Sequence, residues 1–267
     1  MKKILCTYLF ACLITACSGN NNVASATEVK EQKELNDSIK EKTNITPYST
    51  EYLLGKFNPK TDTSFLAIPL TYCSHEAMYL RKEALHAFIE MADAAKKDGI
   101  SIKIISATRT FNDQKMVWEA KWNGSRLVNG LNLAQTIHDP TERAKKILHY
   151  SSMPGTSRHH WGTDIDINNL EPAYYNTPYG KKVYAWMKTN AAHFGFCNPY
   201  SIKNEYRPNG YEEEKWHWSY MPLSSELLID YLHEIKPELI LGFAGAETAL
   251  KVNIIAFYVQ GINPDCN

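Results

Sequence analysis

The chain has 267 residues, 44% apolar and 22% charged, an ordinary globular composition that excludes a disordered, collagen-like or coiled-coil protein. Lysine plus arginine equals aspartate plus glutamate at 29 each. No global field of either sign therefore draws in nucleic acid or an anionic membrane, and any binding site is local.

Residues 1–17, MKKILCTYLFACLITAC, open with two lysines, continue as a short apolar run and end in small residues and cysteine. The run is too short to span a bilayer and reads as a secretory leader. Its end, Ile14-Thr15-Ala16-Cys17, resembles the bacterial lipobox. That resemblance implies lipidation at Cys17, an exported lipoprotein, and anchoring on the membrane facing the periplasm or wall. A plain signal peptide cut near Ala24 to Ala26 is the alternative. Residues 18–47 are polar with little to bury and read as a flexible tether. One domain is expected from Tyr48 to Asn267, with a helical extension from about residue 236.

Apolar positions at three- and four-residue steps predict a helix from about His75 to Lys97, stopped by Gly99. Ser101 to Ser106 reads as a strand. Helices follow from a cap at Asn112 to Trp122, and over 140–150 with Asp139 as cap and Pro140 at its first position. Thr163 to Asn168 alternates strictly, with Ile165 and Ile167 on one face and Asp164 and Asp166 on the other. Gly180 to Phe194 reads as helix, Lys215 to Tyr220 as strand, and Ser224 to Ile235 as helix. The apolar stretch Leu239 to Val259 reads as a packed helix, not a membrane span, because Glu247, Lys251 and Asn253 interrupt it. Strands and helices mix without regular alternation, which predicts an α+β fold. Of the six cysteines, Cys73, Cys197 and Cys266 allow at most one bridge. No CxxC pair exists to form a thiolate zinc finger.

Two clusters carry chemistry. Ser157-Arg-His-His-Trp-Gly-Thr-Asp-Ile-Asp166 and Glu214-Lys-Trp-His-Trp218 together offer His159, Asp166 and His217, the nitrogen and carboxylate ligands of a catalytic zinc with one position left for water. Glu214 supplies a proton acceptor beside that water. Three residues separate it from His217, so either it lies in a turn before the strand or a bulge re-aims it. Asp164 shares the face of Asp166. His160 is expected to pack behind the site.

SRHHWGTDID and EKWHW resemble the SxHxxGxxxD and ExxHW motifs of the VanY-like zinc D-alanyl-D-alanine carboxypeptidases, over roughly residues 80–231. The resemblance implies a hedgehog/DD-peptidase-like fold, a small antiparallel sheet carrying one zinc ion per chain and flanked by helices. It implies His159, Asp166 and His217 as ligands and Glu214 as general base. Ser106-Ala-Thr-Arg109-Thr-Phe-Asn-Asp-Gln114 is similar to the family's Arg-Ser/Thr-x-x-x-Gln segment. By that similarity Arg109 steadies the scissile carbonyl oxygen or the terminal carboxylate, while Ser157, Gln114 and Trp218 contact substrate. The family commonly has alanine at Asp164, so this carboxylate either backs a ligand histidine or contributes to substrate choice.

The expected activity is removal of the C-terminal D-alanine from peptidoglycan stem peptides. The alternatives are an L,D-carboxypeptidase or D,D-dipeptidase of the same superfamily, and a wall-binding lipoprotein with structural zinc. A structural site needs no free carboxylate beside an open position, so Glu214 separates the two classes.

Overall fold

The computed structural model describes residues 48–267. The leader, the Cys17 lipidation site and the tether read from the sequence lie outside the described residues. A short helix α1 (Thr50–Leu53) is capped by the Ser49 hydroxyl. Strands β1 (Phe65–Ala67) and β2 (Tyr79–Arg81) pair antiparallel, and α2 (Lys82–Lys97) follows at once. The helix expected from His75 thus starts later, because 79–81 is taken up by this small sheet. Strand β3 covers only Ile104–Ser106.

Helix α3 (Phe111–Trp122) is capped by Thr110, not Asn112. The Thr110 hydroxyl accepts from Asp113 N at 3.2 Å, and the Asp113 carboxylate accepts from Thr110 N at 2.9 Å, a reciprocal pair that satisfies two end donors. Helices α4 (Leu133–Thr136) and α5 (Pro140–Ile147) follow, α5 with the expected Asp139 cap and leading proline. The remaining elements are β4 (Asp164–Ile167), α6 (Pro178–Asn190), β5 (Phe196–Cys197), β6 (His217–Tyr220) and α7 (Met221–Glu234).

The fold is α+β. A four-stranded antiparallel sheet runs in the order β3-β4-β6-β5. One face presents Ile165, Ile167 and Trp218 to Phe88 and Met91 of α2 and Val183 and Met187 of α6. Each isoleucine is fully buried, which stabilises the fold by about 1.5–3 kcal/mol apiece. A second core gathers Leu53, Phe111, Trp118, Ile147, Trp161, Leu227 and Tyr231 from α1, α3, α5, α7 and the turn before β4. The polar residues of β4 and β6 lie on the sheet face away from α2 and α6.

Leu239 to Val259 forms no continuous helix. It makes short turns at Pro237–Leu239, Ala246–Thr248 and Ile255–Val259. Gly242 (φ 94°), Gly245 (φ 85°) and Asn253 (φ 52°) are left-handed, a conformation no α-helix passes through. The segment packs on α3 instead: the Phe243 ring sits 5.9 Å from Trp118, and Trp118 Nε1 donates to the Ala244 carbonyl at 2.8 Å. Cys197 and Cys266 form a disulfide, and Cys73 is a free, buried thiol. Among the described residues no helix is long and apolar enough to cross a membrane.

Candidate metal centre

Strand register builds half of the site. Asp166 stands opposite His217, and Asp164 opposite Ser219; residues directly opposite in an antiparallel pair share a face. His159 arrives from the one-turn 3-10 helix Arg158–Trp161. Gly162 ends that turn at φ 73°, where a Cβ would strike the Phe65 ring, so glycine alone lets the chain pass from the turn into β4. Glu214 lies in the turn just before β6. Asn198 Nδ2 pins that turn by donating to the Glu214 and His217 carbonyls at 2.8 and 2.7 Å.

One ligand-capable atom from each of His159, Asp166 and His217 lies within 4.8 Å of the others, all buried. His159 Nε2 is 3.2 Å from Asp166 Oδ2, and His217 Nδ1 is 3.1 Å from Asp166 Oδ1. The opposite ring nitrogens are already committed. His159 Nδ1 meets the Ala107 carbonyl at 2.8 Å, and His217 Nε2 meets Asp164 Oδ1 at 2.9 Å. Both partners only accept, so in each neutral imidazole the proton sits on the outward nitrogen and the inward nitrogen offers its lone pair. His159 Nε2 and Asp166 Oδ1 are buried without a hydrogen-bond partner among the described residues. Two imidazole nitrogens and a carboxylate that converge in this way fit a metal cation once the rings are neutral, and the donor set suits a borderline divalent ion.

The surrounding charges prepare this set. Burial alone would raise the Asp164 carboxyl, but Arg158 and His217 hold it well below the carboxylate range. Its oxygens accept from Arg158 Nε at 3.1 Å, Thr163 Oγ1 at 2.6 Å and Ser219 Oγ at 3.0 Å besides His217. Asp164 is therefore the carboxylate that backs His217, the first of the two roles its position allowed. Burial likewise acts to raise Asp166, and the two histidines beside it prevail and lower it. Burial disfavours protonated His217, yet Asp164 and Asp166 push it up to about 9 in the protein's own field. His159 is lowered, by burial first and by Arg109 next.

Glu214 Oε2 lies 3.6 Å from His217 Nδ1. Burial first, and the charge of Asp166, raise its carboxyl to about 8 against the pull of His217, Arg109 and Lys121. Arg109 is fixed through its backbone: its N–H donates to the His159 carbonyl at 3.2 Å, and its carbonyl meets His160 Nδ1 at 2.6 Å. His160 accepts from Gly155 N at 3.0 Å on its other nitrogen, and burial lowers its pKa to about 3. It is a neutral brace, as expected. A cleft of about 480 Å³ opens over Asp166, Glu214 and Arg109, walled by Lys121, Arg126, Tyr150 and Trp216.

Of the three residues expected to touch substrate, all are buried, and two are engaged inside the protein. Trp218 faces the α2/α6 core and donates from Nε1 to the Lys215 carbonyl at 3.2 Å, because it alternates with His217, which points to the polar face; Trp216 takes the cleft instead. Gln114 is fully buried and donates to the Ser152 carbonyl at 2.7 Å, a brace between α3 and the segment after α5. Ser157 is buried with its hydroxyl unpartnered. Sequence reasoning missed Ser219, which the strict alternation of β6 could have found, and Arg158, Lys121 and Ser151, which only the fold brings to the site.

The family profile described as VanY, D-alanyl-D-alanine carboxypeptidase, matches residues 77–223, more than half of the chain. The chain belongs to this family. Its curated relatives include the carboxypeptidase candidate YodJ of Bacillus subtilis (strain 168), 32% identical over 181 residues, covering 63% of this chain and 56% of that protein. A D-alanyl-D-alanine carboxypeptidase of Enterococcus faecalis (strain ATCC 700802 / V583) is 27% identical over 136 residues, covering 51% and 46%. The chain thus spans about half the length of the curated relatives it matches. Similar solved structures include the LdcB LD-carboxypeptidase, with TM-score 0.47 and 26% identity over 68% of this chain and 81% of that one. VanYB in complex with D-alanine-D-alanine has TM-score 0.45 and 23% identity over 67% and 93%.

Proposed function

We propose that this chain is a zinc carboxypeptidase that removes the C-terminal D-alanine from peptidoglycan stem peptides. The observation that carries the reading is the arrangement of Glu214: a buried carboxylate beside three converging acceptors, at the floor of an open cleft. His159 Nε2, Asp166 and His217 Nδ1 would hold one zinc ion, whose chemistry when bound is to acidify water and polarise a carbonyl. Next to such a dication the charged form of Glu214 is favoured despite its burial. Glu214 takes a proton from the attacking water and returns it to the leaving amine nitrogen. Arg109, a permanent planar cation, steadies the oxyanion that develops at the scissile carbonyl. A purely structural site would have no use for Glu214.

The leader supports a further part of this reading. Lipidation at Cys17 would tether the domain over 48–267 to the membrane through residues 18–47, facing the periplasm or wall, and Cys17→Ser should release it into the soluble exported fraction. The activity is tested by incubating the purified protein with peptides ending D-Ala-D-Ala and with tetrapeptides ending L-centre-D-Ala, followed by mass spectrometry. Loss of one terminal alanine from the first set supports the reading, and loss only from the second moves it to the L,D class. No cleavage of either by zinc-loaded protein ends it.

A further inference from the structure

The last turn of α3 and the loop after it bring Lys121 and Arg126 to the cleft wall beside Arg109. Among the described residues none of these three cations has a carboxylate within ion-pair distance, whereas Lys203 pairs with Glu212 and Arg158 with Asp164. Lys121 is half-buried, and among the described residues its only hydrogen-bond partner is the Ser151 hydroxyl. An ammonium group has three donors; one is used, and the others border the cleft. The lining also includes Leu170, Pro172 and Trp216, with the exposed carboxylate of Glu171 between the first two. A peptide entering the cleft therefore meets three cations, an apolar patch and one exposed carboxylate.

We propose that Lys121, held by Ser151 and assisted by Arg126, binds a carboxylate of the substrate peptide, which frees Arg109 for the reacting carbonyl. The inference rests on the carboxypeptidase reading and adds the group that recognises substrate charge. A desolvated cation without a counter-ion is costly, and an arriving carboxylate removes that cost. The state of Lys121 agrees. Burial first, then Arg126 and Arg109, lower its pKa to about 8, which is the mark of a lysine placed among like charges. Two carboxylates on such a peptide have the right chemistry: the C-terminal one and that of an acidic side chain before the alanines.

The test uses the full chain carrying Glu214→Gln, in which hydrolysis should be slowed by roughly two to four powers of ten, and reads Kd by calorimetry. The probes are N-acetyl-L-Gln-D-Ala-D-Ala, its C-terminal amide, and N-acetyl-L-Glu-D-Ala-D-Ala. If the terminal carboxylate is the partner, amidation weakens binding about ten- to hundredfold; if the side chain is, glutamate binds tighter than glutamine by a similar factor. Adding Lys121→Gln should bring that ratio close to one, Arg126→Gln should reduce it less, and Lys121→Arg should preserve part of it. Ratios unchanged by Lys121→Gln, or equal binding of all three peptides at the outset, overturn the proposal. Turnover of the same peptides by the unmutated protein is read separately. Peptides that bind through Lys121 but are never cleaved leave the carboxylate site standing and overturn the carboxypeptidase reading.

Discussion

The two faces of β4 and β6 are one residue apart in sequence and opposite in chemistry. Ile165, Ile167 and Trp218 on one side are at most 2% exposed, and Asp164, Asp166, His217 and Ser219 on the other at most 4%. Burial does not separate them; what answers each group does. The apolar face is satisfied by contact with α2 and α6 alone. The polar face has lost its water and is stable only where each donor and acceptor finds a partner. Asp164 finds four of them in the protein, while Asp166 Oδ1 and His159 Nε2 find none among the described residues. One face is satisfied by packing, and the other has polar atoms that only a further partner would satisfy.

The largest expected effect falls on the polar face. Glu214→Gln leaves the three acceptors in place, so zinc should remain bound while kcat falls by roughly two to four powers of ten; zinc quantified in the same sample checks it, and near-normal turnover would remove Glu214 from the chemical step. Stripping zinc with a chelator should cost about 4 kcal/mol of stability relative to a thousandfold excess over Kd. Thermal unfolding reads this, and a melting temperature that ignores the metal would mean the three acceptors are satisfied otherwise. Asp164→Asn replaces the anion behind His217 and should weaken zinc affinity about 10- to 100-fold, measured by competition with a chromophoric chelator. The smallest change sharpens the contrast from the other side. Ile165→Val should cost about 0.5–1.5 kcal/mol in denaturant unfolding, with zinc affinity and kcat at parental values.

Much of the polar face was legible because its signals are local. The Asp164-Ile-Asp-Ile167 alternation assigns two carboxylates to one side, and the three-residue offset of Glu214 from His217 is resolved by a turn, one of the two possibilities it allowed. The same alternation, carried one residue further, would have sent Trp218 into the core and freed Trp216 for the cleft. Strands as short as β1 and β2 carry no readable period, so 79–81 was absorbed into the α2 helix. Leu239 to Val259 looked helical from its apolar content, but its side chains fill gaps around α3 while left-handed residues keep redirecting the backbone. Lys121 and Ser151 are far apart in sequence, and no local pattern announces a pair that only tertiary packing creates.

The way residues 242–244 grip α3 bears on where this protein can be cut. Likeness to the family ends at residue 223, yet Ile240, Phe243, Val252, Ile254 and Ile262 share one core with Trp118 and Leu227. A chain trimmed at the edge of likeness would lose most of α7 and uncover Phe111 and Trp118. Such a contiguous greasy patch drives aggregation in expression hosts. Homology here delimits the chemistry, and the smallest piece that folds is larger than the piece that is recognised.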